Sequence, residues 1–331
     1  MKRGRRLNQT DIADRLGISV STVSRALAGE AGISTMVRQD VRDLARTLGY
    51  RGKRMSNPAA SRKALAFVPL GSAISGLSGF YFGIVEGMRI AAAQLGIALD
   101  VQLIDEHALS IDAIKQTVAA GAATGLLLAG IDASDELVAW CRAEDLPVVL
   151  VNGSDPRMRL SSVSPANFYG AYAATRRLLD AGHRRILHFT QELRPTIAQR
   201  RRGFEAAATA AGVDPLILSN LDLSAAELAA RLVKGAYDVT GLFIWNDIIA
   251  VQVLETLNRS GLTGRYSIIG FDDLPIASLA TPRLSTMHVD REAIGEAAIR
   301  LLRQQIEGDR SIHQLELGVT AVEGGTIQAV K

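Results

Sequence analysis

Thr10-Asp11-Ile12-Ala13-Asp14-Arg15-Leu16-Gly17-Ile18-Ser19-Val20-Ser21-Thr22-Val23-Ser24-Arg25-Ala26-Leu27 is the stretch whose reading decides the N-terminal fold. Asn8, just before it, reads as a helix N-cap with the Asp11 carboxylate three residues on, followed by Ile12, Ala13 and Leu16 on one helical face. Gly17 supplies a tight turn, and Ser19 caps a second short helix with Val23, Ala26 and Leu27 turned inward. Ser34 caps a third, whose apolar positions Val37, Val41, Leu44, Ala45 and Leu48 keep helical spacing, with Gly49 where a C-terminal cap belongs. Helix, glycine turn and helix form a helix-turn-helix, in which the N-terminal side chains of the second helix face base edges in the major groove. Val20, Ser21 and Arg25 are then the base readers: Arg25 suits guanine O6 and N7, and Val20 a thymine methyl. Ser19, Thr22 and Ser24 are short hydroxyl donors suited to phosphates. A small three-helix core with a polar outer face satisfies the same spacing.

Charge separates this head from the rest. Residues 1–63 hold 14 Lys and Arg against 5 Asp and Glu, a net of +9, whereas the remainder is net −6. A basic head on a mildly acidic body is the footprint of a nucleic-acid binder with a second task. Between Tyr50 and Leu65 the chain is basic, broken by Gly52 and Pro58, and lacks a core-forming pattern. Arg51, Lys53 and Arg54 in this linker are expected to track phosphates. The predicted organisation is a DNA-binding headpiece at 1–50, a hinge at 51–64, and an effector-binding and dimerisation domain at 65–331.

From Leu65 onward short apolar runs alternate with helical patterns. Strands are predicted at 65–70, 98–103, 125–129, 148–151, 186–190, 241–245 and 268–271, with helices including 82–95, 169–181, 202–211 and 248–260. Such βα alternation gives parallel sheets flanked by helices, here in two series that divide at about residue 163. Ligands of open α/β sheets sit beyond the carboxyl ends of strands. Asn152, Asn246-Asp247 and Asp272-Asp273 follow three of these runs, as cleft residues or as caps and turns.

These segments resemble the lactose-repressor (LacI/GalR) family along essentially the whole chain. The headpiece similarity runs from Thr10-Asp11-Ile12-Ala13 through Gly17-Ile18-Ser19 and Thr22-Val23-Ser24-Arg25-Ala26-Leu27 to Leu48-Gly49-Tyr50. In the body it rests on Gly182-His183-Arg184-Arg185-Ile186, Arg200-Arg201-Arg202-Gly203-Phe204, Asn246-Asp247 and Gly270-Phe271-Asp272-Asp273. The resemblance implies an all-α headpiece joined to an α/β two-lobed sensor like the periplasmic sugar-binding proteins. It places Val20, Ser21 and Arg25 at the specificity positions. It also implies that Arg200, Asn246 and Asp272 hold an effector, with Phe80 and Tyr81 lining the first lobe's side. The chain departs from the family pattern in four ways. Asn152 stands where some sugar responders have Asp, Ala166-Asn167 replaces Asp-Asn, Glu323-Gly324-Gly325-Thr326 replaces a terminal Arg-x-Ser-Thr, and the hinge has no leucine to wedge into a minor groove.

The function expected is therefore a sequence-specific transcription regulator, a repressor, controlled by a sugar-like effector. It is expected to be a homodimer on a pseudo-palindromic double-stranded operator, because two headpieces on a two-fold axis add their affinities. An enzyme is the principal rival, but the histidines show no metal-ligand spacing, and no glycine pattern cradles a phosphate. No catalytic residue, metal or cofactor is expected. A transport receptor with the same sensor would lack the basic head, and an architectural DNA protein would have no use for the cleft. Cys141 is the single cysteine, and no apolar run approaches the roughly 20 residues of a membrane helix. The expected location is cytoplasmic.

Overall fold

A computed structural model describes residues 8–28, 32–48, 62–69, 79–104, 110–191 and 194–330. The chain divides into two compact units, residues 1–61 and 62–331.

The first unit contains α1 (Gln9–Leu16), α2 (Val20–Ala28) and α3 (Thr35–Thr47). Asn8 and Asp11 form a reciprocal capping box: Asp11 N–H donates to Asn8 Oδ1 at 3.0 Å, and Asn8 N–H to Asp11 Oδ2 at 2.8 Å. Gly17 ends α1 at φ 64°, a left-handed turn that costs glycine nothing. Ser34 Oγ accepts from Val37 N–H at 3.3 Å and starts α3. The three helices bury Ile12, Ala13, Val23, Ala26, Val41 and Ala45 against one another. Gly49 and the hinge cations Arg51, Lys53 and Arg54 lie outside the described residues.

The second unit has two lobes. Lobe 1 contains β1 (Lys63–Pro69), α4 (Phe80–Gln94), β2 (Ala98–Ile104), α5 (Ile111–Gly121), β3 (Gly125–Ala129), α6 (Asp135–Ala143), β4 (Val148–Val151) and β5 (Ser161–Pro165). Lobe 2 follows with α7 (Asn167–Asp180), β6 (Ile186–Thr190), α8 (Pro195–Ala210), β7 (Leu216–Ser219), α9 (Ala225–Val233), β8 (Gly241–Ile244), α10 (Asp247–Arg259), β9 (Ser267–Ile269), α11 (Pro275–Leu279) and β10 (Thr286–His288). The chain then returns to lobe 1 as α12 (Arg291–Ile306) and β11 (Gln314–Leu317), and crosses again to pair β12 (Thr320–Val322) antiparallel with β10. The lobe-1 sheet runs β2-β1-β3-β4-β5-β11 and the lobe-2 sheet β7-β6-β8-β9, every pair parallel.

Two consecutive series dividing near residue 163 is thus too simple. The chain changes lobe three times, at 165–167, 288–291 and 317–320. Strand β5 is absent from the expected set because Ser161-Ser162-Val163-Ser164-Pro165 reads as polar. It is nonetheless fully buried, with Ser161 Oγ accepting from Gln305 Nε2 at 2.8 Å and from His313 N–H at 3.1 Å.

One apolar cluster continues between the lobes, from Ile84, Met88 and Val151 in lobe 1 to Phe204, Phe243 and Phe271 in lobe 2. Within lobe 2, α7 and α8 cross where a Cβ on Gly203 would stand 2.1 Å from the Phe168 carbonyl oxygen. The arginine, glycine and phenylalanine of the Arg200–Phe204 motif therefore have separate tasks: Arg200 meets polar groups, Gly203 admits α7, and Phe204 fills the core. Gly203→Ala is expected to destabilise this unit by about 1–3 kcal/mol, because the obstacle is backbone and not a movable side chain. Urea unfolding of the variant within 0.5 kcal/mol of wild type (about the noise of such measurements) would show that the helices slide apart without cost.

Candidate functional site

In the headpiece, Ser19 Oγ accepts from Thr22 N–H at 3.0 Å and lies 2.8 Å from the hydroxyls of Ser21 and Thr22. Ser19 is thus the cap of α2, and its hydroxyl already has work besides any phosphate. Val23 and Ala26 point into the core, which leaves Val20, Ser21 and Arg25 exposed on the opposite face, with Thr22 and Ser24 half-buried on the flanks. Val20 is 42% exposed, an apolar side chain presented to solvent at the start of a helix. This face joins methyl, hydroxyl and guanidinium groups, the set that reads base edges.

In the second unit, polar groups gather at the carboxyl ends of the strands of both lobes. Arg200, 3% exposed, is the centre of the lobe-2 set. Its Nε donates to Asn167 Oδ1 at 2.8 Å, one Nη to the Trp245 carbonyl, and the other to Asp272 Oδ1 at 3.0 Å. The guanidinium also lies over the Phe271 ring, 3.7 Å from its centroid. Asp272 follows β9 at φ 108°, and its carbonyl accepts from Arg291. Burial pushes the Asp272 carboxyl above the ordinary carboxylate range, and Arg200 opposes that shift. Asp247 is buried with Oδ1 on the Thr286 hydroxyl and Oδ2 on Leu274 N–H at 2.8 Å. Its pKa is raised well above normal, first by burial and then by the neighbouring Asp272. Asn246 caps α10, accepting from Ile249 N–H at 2.9 Å, and adjoins Trp245 in the chain.

Lobe 1 contributes Phe80 and Tyr81 from the first turn of α4, both buried, with ring centroids 5.3 Å apart and edge to face. Tyr81 Oη accepts from Asn152 Nδ2 at 3.1 Å, just beyond β4. Arg194, at the N-terminus of α8, reaches over from lobe 2. It donates to the Asn152 carbonyl at 2.7 Å, to Asp132 Oδ2 at 3.2 Å, and toward Tyr81 Oη at 3.5 Å.

Tyr81 and Asn152 therefore meet directly, as do Arg200 and Asp272, and Asn246 stands one residue from Arg200's carbonyl partner. Phe80 joins through its packing on Tyr81. The resemblance implies that Arg200 and Asp272 both turn to a ligand, whereas here they satisfy each other. Arg194 and Asp132 were not identified from the sequence, and Asn167 only as part of a departure from the family pattern and not as a site residue. The strand-end rule reaches Asp132, which follows β3 by three residues, but Arg194 and Asn167 are placed only by contacts distant in sequence.

Two histidines are structural. His183 Nε2–H donates to the Gln328 carbonyl at 3.0 Å while Nδ1 accepts from the Thr240 hydroxyl at 2.8 Å, which ties the β6 entry to the C-terminal segment. His188 donates through Nδ1 to the Phe243 carbonyl at 2.9 Å and stacks on the Phe243 ring at 4.6 Å. Burial drives its pKa down to about 3. Its folded pKa lies below the unfolded value of about 6.5, so the unfolded chain binds the extra proton between those pH values. Stability supplied by neutral His188 is complete above pH ~6.5 and is lost as pH falls, at up to ~1.4 kcal/mol per unit. The raised carboxyls of Asp247 and Asp272 act with opposite sign. The check is therefore the difference between wild type and His188→Gln: the variant's unfolding free energy should fall less steeply from pH 6.5 to 4.5, and parallel curves would contradict a buried neutral imidazole.

Residues 10–52 match the profile of bacterial regulatory proteins of the lacI family, and residues 175–327 match the periplasmic binding protein-like domain. The chain belongs to the lacI family. As a lacI-family member it is a DNA-binding transcriptional regulator. The HTH-type transcriptional regulator GntR of Pseudomonas aeruginosa is 29% identical over 306 residues, 90% of this chain and 89% of its own. Two solved structures share the fold over nearly the full length. The complex of transcriptional regulator CelR with cellobiose has a TM-score of 0.71 at 24% identity, covering 97% of this chain and 100% of that one. The lac repressor dimer bound to operator and the anti-inducer ONPF has a TM-score of 0.70 at 21% identity, covering 98% and 100%. Among the described residues, no helix of this lacI-family chain is long and apolar enough to cross a membrane.

Proposed function

We propose that this lacI-family chain is a cytoplasmic, non-enzymatic repressor that binds a pseudo-palindromic operator as a homodimer and is released or engaged by a sugar-like effector. The headpiece is residues 1–50, the hinge 51–64 and the effector domain 65–331, although Lys63 and Ala64 at the end of that hinge already belong to β1. The single observation that carries the reading is the polar cluster at the strand ends of both lobes, where Arg194 of lobe 2 holds Asp132 and Asn152 of lobe 1. A hydroxyl-rich ligand bound there exchanges these interlobe bonds for its own. It thereby favours one lobe arrangement by its differential affinity, which is the only way a ligand shifts such an equilibrium. Effector contacts are assigned to Phe80, Tyr81, Asn152, Arg200, Asn246 and Asp272, and DNA contacts to Ser19, Val20, Ser21, Thr22, Ser24, Arg25, Arg51, Lys53 and Arg54. The solved relatives support both halves, one with cellobiose and one as a dimer on its operator.

Operator selection from a genomic fragment library, followed by footprinting, tests the reading. The protected sequence should contain two inverted half-sites. Arg25→Ala should cost about 1–3 kcal/mol on it and relax preference at one base pair per half-site. An equal loss on all sequences would move Arg25 to the phosphate contacts, and a single undivided footprint would remove the dimer.

A further inference from the structure

The amino ends of β6, β8 and β9 lie at the end of lobe 2 opposite the cleft, and the residues just before them line a cavity of about 360 Å³. Arg185 leads into β6, Thr240 into β8 and Arg265-Tyr266 into β9, while Tyr237 and Asp238, after α9, complete the lining. Strand β8 runs between β6 and β9, so Arg185 and Arg265 start two strand spacings apart, roughly 10 Å. Two guanidinium side chains thus line one cavity from either side of β8. Arg265 is held in place: its Nε donates to Tyr266 Oη at 3.4 Å, and its guanidinium lies 5.6 Å from that ring's centroid. Tyr266 is buried and donates its own proton to the Leu232 carbonyl at 2.8 Å, which fixes the surface beneath Arg265. Arg231 Nη1 donates to Tyr237 Oη at 3.3 Å and brings a third guanidinium to the rim, and Lys234 adjoins the lining residue Gly235.

Charge at this end runs against that of the unit around it. Residues 62–331 hold 25 Lys and Arg against 29 Asp and Glu, yet Arg185, Arg231, Lys234 and Arg265 gather here with one lining carboxylate, Asp238. Asp238 pairs with Arg185. Arg231 and Arg265 bond tyrosine hydroxyls, and among the described residues neither they nor Lys234 forms an ion pair with a carboxylate. Glu227, which Arg231 attracts, is committed to Ser224, whose N–H and hydroxyl it accepts at 2.7 and 2.8 Å. The hydroxyls of Thr240, Tyr237 and Tyr266 are bonded as well. A neutral polyol placed here would meet cationic donors in excess of the acceptors its own hydroxyl protons need. A phosphate group reverses that balance, with nearly two negative charges and three acceptor oxygens. Its oxygens are disposed tetrahedrally, so it can be gripped from both sides of β8 at once, whereas a planar carboxylate presents its two oxygens to one guanidinium fork.

We propose that this cavity is a second ligand site, separate from the interlobe cleft, and that it takes a phosphate-bearing small molecule between Arg185 and Arg265. The incoming phosphate competes with Asp238 for Arg185. That ion pair is exposed on both sides, at 57% and 81%, and such pairs are weak enough to yield.

The test is calorimetry on the full chain in phosphate-free buffer with three pairs of probes: inorganic phosphate and acetate, glucose 6-phosphate and glucose, AMP and adenosine. At least one phosphate compound should bind about tenfold or more tightly than its partner, as charge-assisted bonds to two guanidiniums require. Inorganic phosphate binding as tightly as the esters identifies the free ion as the ligand, and a tighter ester identifies the metabolite class; either supports the site. Arg185→Met and Arg265→Met, both at exposed positions, should each weaken that binding about tenfold without moving the urea transition. Asp238→Asn should tighten it, because the competing carboxylate is gone. Phosphate binding that survives both arginine replacements would overturn the inference, and its loss in Asn152→Ala instead would place the phosphate in the interlobe cleft. Acetate matching phosphate, or no phosphate compound exceeding its partner, would overturn it as well.

Discussion

Asp272→Asn and Arg200→Met should each destabilise the effector domain by about 3–5 kcal/mol, whereas the double replacement should cost far less than their sum. The asparagine amide would keep an acceptor oxygen and tolerate the backbone at φ 108°, so the first replacement removes chiefly the charge. What remains is a guanidinium 3% exposed with its counter-ion gone, and methionine at 200 leaves the converse, a carboxylate with no cation. Breaking one side of a buried pair is costly because a charge stays behind, even when the intact pair contributes little over an apolar pair. The other bonds of Arg200, to Asn167 and the Trp245 carbonyl, do not neutralise it. Urea unfolding of wild type, both singles and the double closes the cycle. A single replacement costing less than 1 kcal/mol (the range of an exposed pair) would mean that solvent or the protonated carboxyl already relieves the burial. Effector response should disappear in both singles. Measured alone, that loss does not separate a ligand contact from a scaffold, and the unfolding cycle is what separates them.

Elements whose logic is local were legible in the sequence. The Asn8–Asp11 box, the Gly17 turn and the Ser19 and Ser34 caps each depend on residues within four positions, and all appear where their chemistry puts them. Strands rich in apolar residues were legible too: β3, β4 and β6 keep the expected limits because four or five consecutive buried residues, most of them apolar, admit few other readings. Strand β5 was not, since its burial depends on Gln305 and His313, some 150 positions away. The threefold crossing between lobes has the same character, because nothing in Arg291–Ile306 states which lobe it will cover. At the site, Asn246 and Asp272 were visible as polar residues ending apolar runs. Arg194 was hidden because the loop before α8 carries no motif, and its role exists only once Asp132 and Asn152 stand opposite it.

Deleting residues 1–61 is expected to abolish specific operator binding while leaving the effector domain folded. The cut falls at the boundary of the two compact units, and three hydrophobic clusters of the larger unit draw only on residues beyond it. No core residue of that unit is removed, so the unfolding transition of 62–331 should match the effector-domain transition of the full chain. DNA affinity has the opposite dependence. The deleted stretch 1–61 holds 12 Lys and Arg against 5 Asp and Glu, which leaves 25 against 29 and a net of −4 in 62–331, so the truncated protein approaches a polyanion with like charge. Specific binding exceeds non-specific binding by at least about 10³-fold in most such proteins, and that margin should vanish entirely. The steep salt dependence should vanish with it, since every phosphate that is no longer neutralised lowers the slope by about one unit. Anisotropy with the selected operator at 50 and 200 mM salt (a span over which a full set of phosphate contacts changes affinity ~10³-fold or more) reads both effects. Residual specific binding by 62–331 would place a DNA interface on the acidic body. An unfolded 62–331 would show that the headpiece supplies stability that no apolar packing within residues 62–331 replaces.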